Sequence, residues 1–229
     1  MGRTHIITSF LRSISMSFTF DNNLVSVIVC EVPRLASEKL RAFCREHLES
    51  TCPYYVSRYV QHDSKPVSLL TYYKNLLIQM ENDSRDGCWS GFFFICEHDC
   101  LYDRSYFDVD WPASPITYPS RAASLSVDGF FVRRPFVTSG LFGSAPFLCH
   151  AIEGKLKEHK EKGRCVWSEP CSDHTGNMNE LVTQRSTKVP HIDIRHGKNF
   201  TGNRIGKSYF QTLNGWDLSA SQMWAAISD

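Results

Sequence analysis

The chain has 229 residues, of which 42% are hydrophobic and 13% aromatic, and this is enough apolar material for a sizeable core. Its formal net charge is +1, so no overall field draws it to nucleic acid or to an anionic membrane, and a polyanionic partner must be met by a local basic patch. No apolar run approaches the roughly 20 residues that span a bilayer, so we expect a globular protein with no membrane partner.

Residues 1–20 contain only a short apolar stretch without a cleavage site of small residues, and we interpret them as an N-terminal extension. Residues 21–229 show no repeat, no low-complexity segment and no linker, so they are predicted to form a single domain. The nine cysteines are scattered without a C-x-x-C pair, which is typical of reduced thiols in a cytoplasmic protein. Zinc ligation by Cys165, Cys171 and His174 is a weaker interpretation, because no fourth ligand stands at a familiar spacing.

Two strand-helix units open the domain. The run "LVSVIVC" (24–30) predicts a strand, and the segment after it predicts a helix with apolar residues at helical spacing, namely Leu40, Phe43, Cys44 and Leu48. The run "YYVSRYV" (54–60) predicts a second strand. Ser68 is a suitable N-cap for the next helix, whose apolar face would comprise Leu69, Tyr73, Leu76, Leu77 and Met80.

A third strand, "SGFFFIC" (90–96), runs directly into three polar residues, Glu97, His98 and Asp99. Strands that alternate with helices predict an α/β fold with a largely parallel sheet, and such sheets bind ligands outside the carboxyl ends of their strands. With the two-residue period of a strand, Glu97 and Asp99 would point to the same side. Paired carboxylates repel unless a cation lies between them, and oxygen ligands favour magnesium, manganese or calcium. The alternative is a solvated polar turn.

The pattern becomes less regular over residues 108–145, where prolines and glycines separate short strand-like pieces and predict loops with an antiparallel excursion. A helix is predicted from Pro146 to Gly163. Its buried stripe would comprise Phe147, Ala151, Ile152 and Leu156.

The segment "VPHIDIRHGKNFTGNRIGKSYF" (189–210) predicts another strand, with one apolar and one charged face. The charged face would comprise His191, Asp193 and Arg195. For Asp193 and Arg195 a structural ion pair is the alternative to a functional role. The basic residues that follow either neutralise phosphates or form a solvated face, and they are Lys198, Arg204 and Lys207.

Two segments together resemble GT-A-type glycosyltransferase-like proteins of phage and bacterial genomes. The first is a helix and strand ending in E-H-D-x-L-Y-x-x-x-x-F, here "EHDCLYDRSYF" at 97–107. The second is D-I-R-H-x-x-N-x-T-x-x-R, here "DIRHGKNFTGNR" at 193–204. Between them, "DGFFV" at 128–132 and Glu169 with Pro170 also match the family's pattern, and the N-terminal third agrees in its order of strand and helix.

The resemblance implies a GT-A-like, Rossmann-like α/β domain with a mixed, mostly parallel sheet flanked by helices and an irregular, loop-rich second half. It implies transfer of a sugar from a nucleotide-sugar donor, a UDP-sugar first, to an acceptor hydroxyl, with Mn²⁺ or Mg²⁺ as cofactor. Asp99 and Glu97 stand at the family's acidic D-x-D motif, with Glu in place of the first Asp, so both are implied metal ligands and Glu97 also a donor contact. His196 is implied as a further ligand, ahead of His191.

Donor binding is assigned to Lys198, Arg204 and Arg195 in addition to Glu97. An inverting enzyme also needs a base for the acceptor hydroxyl. Glu169 is the first candidate because it falls at the family's E-P pair, and Asp173 and His174 follow, although an acidic surface loop would show the same residues. A second D-x-D, Asp108 and Asp110, ranks lower because no apolar strand leads directly into it.

The phage setting suggests DNA carrying a modified base as the acceptor, which would place the protein in the host cytoplasm. A metal-dependent phosphoesterase would use the same carboxylates with His196. A non-catalytic phage protein that binds nucleic acid or a host component is a third class. The "RHG" at 195–197 is shared with histidine phosphatases, but those carry it near their first strand.

Overall fold

The structure, a computed structural model, describes residues 25–31, 36–61, 74–78, 80, 92–108, 116–119, 122–133, 140–162, 182–195 and 208–228. The strands in this part are β1 (Val25–Glu31), β2 (Tyr55–Gln61), β3 (Phe92–Glu97), β4 (Cys100–Leu101), β5 (Ile116–Pro119), β6 (Ala122–Ser126), β7 (Gly129–Arg133), β8 (Phe142–Ser144), β9 (Val182–Arg185) and β10 (His191–Ile194). The helices are α1 (Glu38–Thr51), α2 (Ala145–Lys162) and α3 (Ala220–Ile227), with a further helical stretch at 74–78 and a 3-10 turn at Arg104–Tyr106.

The described strands form two mixed sheets. The first has the order β2-β1-β3-β8-β5-β9, in which β1 runs parallel to both β2 and β3. Strand β8 is antiparallel to β3 and β5, and β9 is parallel to β5. A mixed α/β fold is therefore confirmed. The expected parallel pairing is found among β1, β2 and β3 and again between β5 and β9, whereas β8, which lies between these two groups, is antiparallel to both of its neighbours.

The second sheet has the order β4-β10-β6-β7. Its antiparallel hairpin, β6 and β7, lies within the stretch where the sequence predicts an antiparallel excursion. Gly129 opens β7 with a φ of +134°, and a Cβ there would lie 2.8 Å from the carbonyl oxygen of Phe210, so glycine is required. Strand β10 is parallel to β6 and antiparallel to β4. The pairing of β10 with β4 joins two segments that lie about ninety residues apart in the chain.

Helix α1 connects the cores of the two sheets. Ser37 caps it by accepting a hydrogen bond from the backbone N–H of Leu40 at 3.2 Å, and the predicted apolar stripe is largely confirmed. Leu48 packs with β1 and β3 of the first sheet, while Leu40 and Cys44 pack with β10 and α3 against the second. Burial of each such side chain contributes roughly 1.5–3 kcal/mol. The helix is thus fixed across the carboxyl ends of β1 and β3.

Helix α2 begins at Ala145, one residue before the predicted start, and its buried face differs from the predicted one. Ile152 is fully buried as expected, but Phe147, Ala151 and Leu156 are only half-buried. The core-facing residues are instead Ala145, Leu148, Cys149, Ile152 and Lys155. The face is rotated because Leu148 and Cys149 pack against Phe93 and Ile95 of β3. Of the helix predicted before β3, the structure describes 74–78 and 80, where Leu76 and Met80 are buried as expected.

Candidate functional site

The candidate site lies where β1 and β3 end. These strands are parallel and in register, with Cys30 opposite Glu97, so their carboxyl ends share one edge of the sheet. Glu31 ends β1 and is 1% exposed, and Glu97 ends β3. Ligands of open α/β sheets bind at edges of this kind.

A tight turn at His98 and Asp99 follows β3. The backbone N–H of His98 donates to the carbonyl oxygen of Cys30 at 3.2 Å, and its Nδ1 lies 3.0 Å from the same oxygen. The predicted proximity of the two carboxylates is found: an oxygen of Glu97, an oxygen of Asp99 and the Sγ of Cys100 all lie within 4.8 Å of one another. The turn produces this proximity instead of the predicted strand alternation, because the strand stops at Glu97.

The pKa of the Cys100 thiol reflects both the burial of this cluster and the charge of its carboxylates. Burial raises the pKa of the thiol well above its usual range, and the negative charges of Asp99, Asp193 and Glu97 raise it further. The thiol is therefore protonated at neutral pH, which leaves the two carboxylates as the oxygen ligands of the cluster. Carboxylate oxygens held close together are ligands that a divalent cation such as Mg²⁺ prefers.

Strand β10 lies beside this cluster, because it pairs with β4, the strand that contains Cys100. Asp193 lies opposite Cys100 in the antiparallel pair, and the backbone N–H of Ile194 donates to the carbonyl oxygen of Asp99 at 2.8 Å. The predicted alternation of charged and apolar residues is present, but the charged residues are buried too, since every residue from His191 to Arg195 is buried. Strands β4 and β6 pair with the two edges of β10. Ile192 and Ile194 pack in one cluster with residues of α1 and α3, and His191 lies against the rings of Tyr102 and Tyr106.

The charged residues of β10 are held by specific contacts. Arg195 pairs with Asp193 at 2.8 Å, and its Nε lies 3.5 Å from the Oγ of Ser124. His191 stacks on Tyr102, with ring centroids 5.8 Å apart and planes 15° apart. The ion pair is thus formed as the structural interpretation expects. The cluster of Glu97, Asp99 and Cys100 does not include His191, the second-choice ligand.

A small cavity adjoins the cluster and is enclosed between α1 and the ends of β1 and β3. Its volume is about 10 Å³, which is about the room that one water molecule needs. The polar residues of its lining are Glu31, Arg41, Arg45, Glu97 and His98, and the others are Val29, Cys44, Leu48 and Cys100. A larger anion such as phosphate would have to displace side chains that line this space.

The structure brings Glu97, Asp99 and the buried Arg195 into one region of the fold. Five other predicted site residues lie outside the described residues, namely Glu169, Asp173, His196, Lys198 and Arg204. The same is true of the alternative zinc ligands and of Asp110. Their assignments remain predictions.

Sequence reasoning missed four residues of the site: Glu31, Arg41, Arg45 and Cys100. Each had a signal. Glu31 is a lone acid directly after an apolar strand, as Glu97 is, and Arg41 and Arg45 stand four residues apart and therefore on one face of α1. What the sequence lacked was the distance between these positions.

No protein-family model matches the chain. No curated protein matches it either. Among solved structures, one similar to this chain is that of a glycosyltransferase involved in the glycosylation of the major capsid of PBCV-1, with a TM-score of 0.46 and 9% identity, over 70% of this chain and 81% of that one. Because the likeness is this distant, we base the functional proposal on the site's own residues. Among the described helices, none is long and apolar enough to cross a membrane.

Proposed function

We propose that the protein is a metal-dependent glycosyltransferase that uses a nucleotide-sugar donor. The observation that carries the proposal is the Glu97–Asp99–Cys100 cluster at the shared carboxyl edge of β1 and β3, next to a cavity lined by two arginines. Carboxylates that could bind a cation therefore lie beside guanidinium groups that could bind an anion. A nucleoside diphosphate with its divalent cation presents the complementary charges.

Glu97 and Asp99 would hold the cation. With the Cys100 thiol protonated, the ligand set is oxygen-rich, which favours manganese or magnesium over zinc. When bound, the cation would offset the negative charge that develops on the departing nucleoside diphosphate. His196 is proposed as a further ligand, and Lys198, Arg204 and Arg195 as donor contacts. Of these three, Arg195 is tied to Asp193 and would contribute through the positive charge of a fixed pair.

Glu169 is proposed as the base that takes the proton of the acceptor hydroxyl, with Asp173 as the alternative. DNA carrying a modified base is the proposed acceptor. A duplex base would have to leave the stack to reach the site, at a cost of a few kcal/mol. With a net charge of +1, attraction to DNA must come from a local patch, and its salt dependence should report only a few phosphate contacts.

The proposal is tested by metal-supported donor binding. A thermal-shift screen of sugar nucleotides with and without manganese should reveal a donor that raises the melting temperature only when manganese is present. In calorimetry with that donor, Asp99→Asn should weaken binding far more than the matched variant Asp110→Asn, because loss of a charged ligand is not made good by water. Equal effects of the two variants would refute the assignment of the metal site.

The class of reaction needs a separate assay. Incubation with donor, manganese and DNA containing hydroxymethylated bases should yield glycosylated DNA. Release of free sugar or phosphate without an acceptor product would instead indicate the phosphoesterase. Modification of a protein, lipid or free sugar with every DNA left unchanged would refute the DNA acceptor alone.

A further inference from the structure

Helix α1 presents two arginines to the end of strand β1. The Nη2 of Arg45 lies 2.7 Å from one carboxylate oxygen of Glu31, and the Nη1 of Arg41 lies 3.7 Å from the other. Arg41 also pairs with Glu38, whose side chain is 69% exposed. Two guanidinium groups thus converge on one carboxylate, which is itself 1% exposed.

The contacts of Arg41 leave donor capacity inside the cavity. Its side chain is 11% exposed, and its Nε is buried without a hydrogen-bond partner among the described residues. The distance of 3.7 Å to Glu31 is longer than a hydrogen bond. Arg45 lines the same cavity, and its side chain is 33% exposed. A buried donor of this kind lowers its free energy by gaining an acceptor.

The same cavity is also lined by Glu97 and His98, and Glu97 belongs to the proposed cation cluster. A cation between Glu97 and Asp99 would balance their two negative charges. An anion in the cavity would then meet the two arginines on one side and the cation on the other. Guanidinium groups bind phosphate oxygens in a bidentate manner and are the side chains best suited to this task.

We propose that Arg41 and Arg45 form a phosphate subsite for the donor's diphosphate, and that Glu31 occupies their donor groups when no phosphate is bound. The identity of the anion rests on the proposed function, whereas the anion site itself rests on the contacts of α1 and the cavity. Helix α1 would thus contact the donor's diphosphate, a role that the sequence predicts for basic residues of the 195–204 segment.

A substitution of Glu31 tests this proposal, because phosphate must compete with the Glu31 carboxylate for the two arginines. Glu31→Gln keeps the shape of the side chain but removes the competing charge, so it should tighten phosphate binding. If the arginines serve only to neutralise a buried glutamate, the same variant leaves phosphate binding unchanged. The two roles therefore predict different results for a single substitution.

The experiment is calorimetric titration of the full chain with pyrophosphate in the presence of EDTA, so that no metal contributes. Arg45→Gln should weaken binding by about tenfold to a hundredfold, the loss expected for charge-assisted hydrogen bonds. Glu31→Gln should strengthen it. Lys157→Gln, a change at an exposed lysine of α2 that is 77% exposed, is the matched control for lost positive charge and should bind as the wild type does. Circular dichroism establishes that each variant is folded, and Arg45→Lys replaces Arg45→Gln if the latter is not.

Equal affinity of wild type and the Arg45 variant for pyrophosphate would overturn the proposal, as would an absence of pyrophosphate binding to both wild type and Glu31→Gln. These outcomes are independent of the sugar nucleotide. Manganese-supported donor binding that is insensitive to Arg45→Gln would leave the glycosyltransferase standing and remove the subsite. Pyrophosphate binding that needs Arg45, in a protein that transfers no sugar, would retain the subsite and remove the glycosyltransferase.

Discussion

Asp193 and Arg195 show how a single pair of residues can satisfy two interpretations of the sequence. Their alternation with isoleucines predicts a charged strand face, yet both side chains are only 8% exposed and they bind each other at 2.8 Å. A buried charge is costly unless it is paired, so this ion pair is a condition for placing β10 inside the second sheet. It also holds a positive charge one strand away from the Glu97–Asp99–Cys100 cluster.

We predict that Asp193→Ala destabilises the fold by about 3–5 kcal/mol, because it leaves the Arg195 guanidinium buried without its carboxylate. Urea denaturation measures the change in the free energy of unfolding. The exposed pair of Lys157 and Glu161, 3.9 Å apart, is the control, and Glu161→Ala should cost no more than about 0.5 kcal/mol. If Asp193→Ala costs as little as Glu161→Ala, Asp193 is dispensable for folding. That result would favour a functional role for Asp193.

At the scale of the elements, helix α1 is held at its C-terminal end by His47. Its Nε2 lies 3.1 Å from the carbonyl oxygen of Tyr102, and its ring lies 5.4 Å from that of Trp216. Burial lowers the pKa of His47 below its ordinary value of 6.5, although the Tyr102 carbonyl opposes the shift. The neutral ring is therefore the form that the packed helix accommodates.

This contact predicts a pH-dependent stability. Since the pKa of His47 is lower in the folded chain than in the unfolded one, the unfolded chain binds more protons as the pH falls below about 6.5. The free energy of unfolding should be at its full value above that pH and should decline as the pH falls toward the folded-state pKa. His47→Gln, which keeps a donor for the Tyr102 carbonyl, should remove this part of the decline. Identical pH profiles for variant and wild type would contradict the assignment.

Gly215 and Gly154 provide a matched test of the described packing, because a side chain would clash at the first position and not at the second. Gly215 precedes α3 with a φ of +88°, and a Cβ there would lie 2.4 Å from a methyl group of Val189, whereas a Cβ at Gly154 in α2 would meet nothing within 4 Å. Gly215→Ala should destabilise the protein by more than about 1 kcal/mol, since it adds both backbone strain and a clash. Gly154→Ala should stabilise it by about 0.5–1 kcal/mol through helix propensity. Thermal unfolding of the two variants should shift in opposite directions, and shifts of the same sign would contradict the described packing.

At the scale of the whole molecule, the described cysteines are part of the core. Cys30, Cys44, Cys96, Cys100 and Cys149 are buried, and Cys52 is half-buried with its pKa raised by burial to about 11. None of these six forms a disulfide. Their thiol groups belong to the packed interior of the part of the chain that the structure describes.

We predict that iodoacetamide at pH 8 labels these six cysteines only when the protein opens, because alkylation needs an accessible thiolate. Peptide-resolved mass spectrometry should find them unmodified in the native protein and fully modified in guanidinium. Cys100 is the informative position, since it lies in the cluster of Glu97 and Asp99. Rapid native labelling of Cys100 would show that the cluster is open to solvent and that its thiol is ionised, contrary to the described burial.

The sequence by itself determined the local elements and the ends at which the site lies. The β-branched run of β1, the phenylalanine-rich run of β3 and the helical spacing of Leu40, Cys44 and Leu48 each follow from a periodicity that a short segment contains. The polar residues after β3 were identified for the same reason. The polarity of the side chains changes abruptly within two positions there, and the sequence shows this directly, whereas the burial of His98 and Asp99 is seen only in the structure.

Only the tertiary structure decided which of these segments meet. The pairing of β10 with β4 places Asp193 opposite Cys100, and the charged residues of this segment are buried. The position of α1 brings Arg41 and Arg45 to Glu31 at the end of β1. The buried face of α2 also depends on a distant segment, because Leu148 and Cys149 pack against β3. Periodicity records how a segment is oriented relative to its own axis, whereas contacts between distant segments depend on the free energy of packing the whole core, which no short stretch of sequence contains.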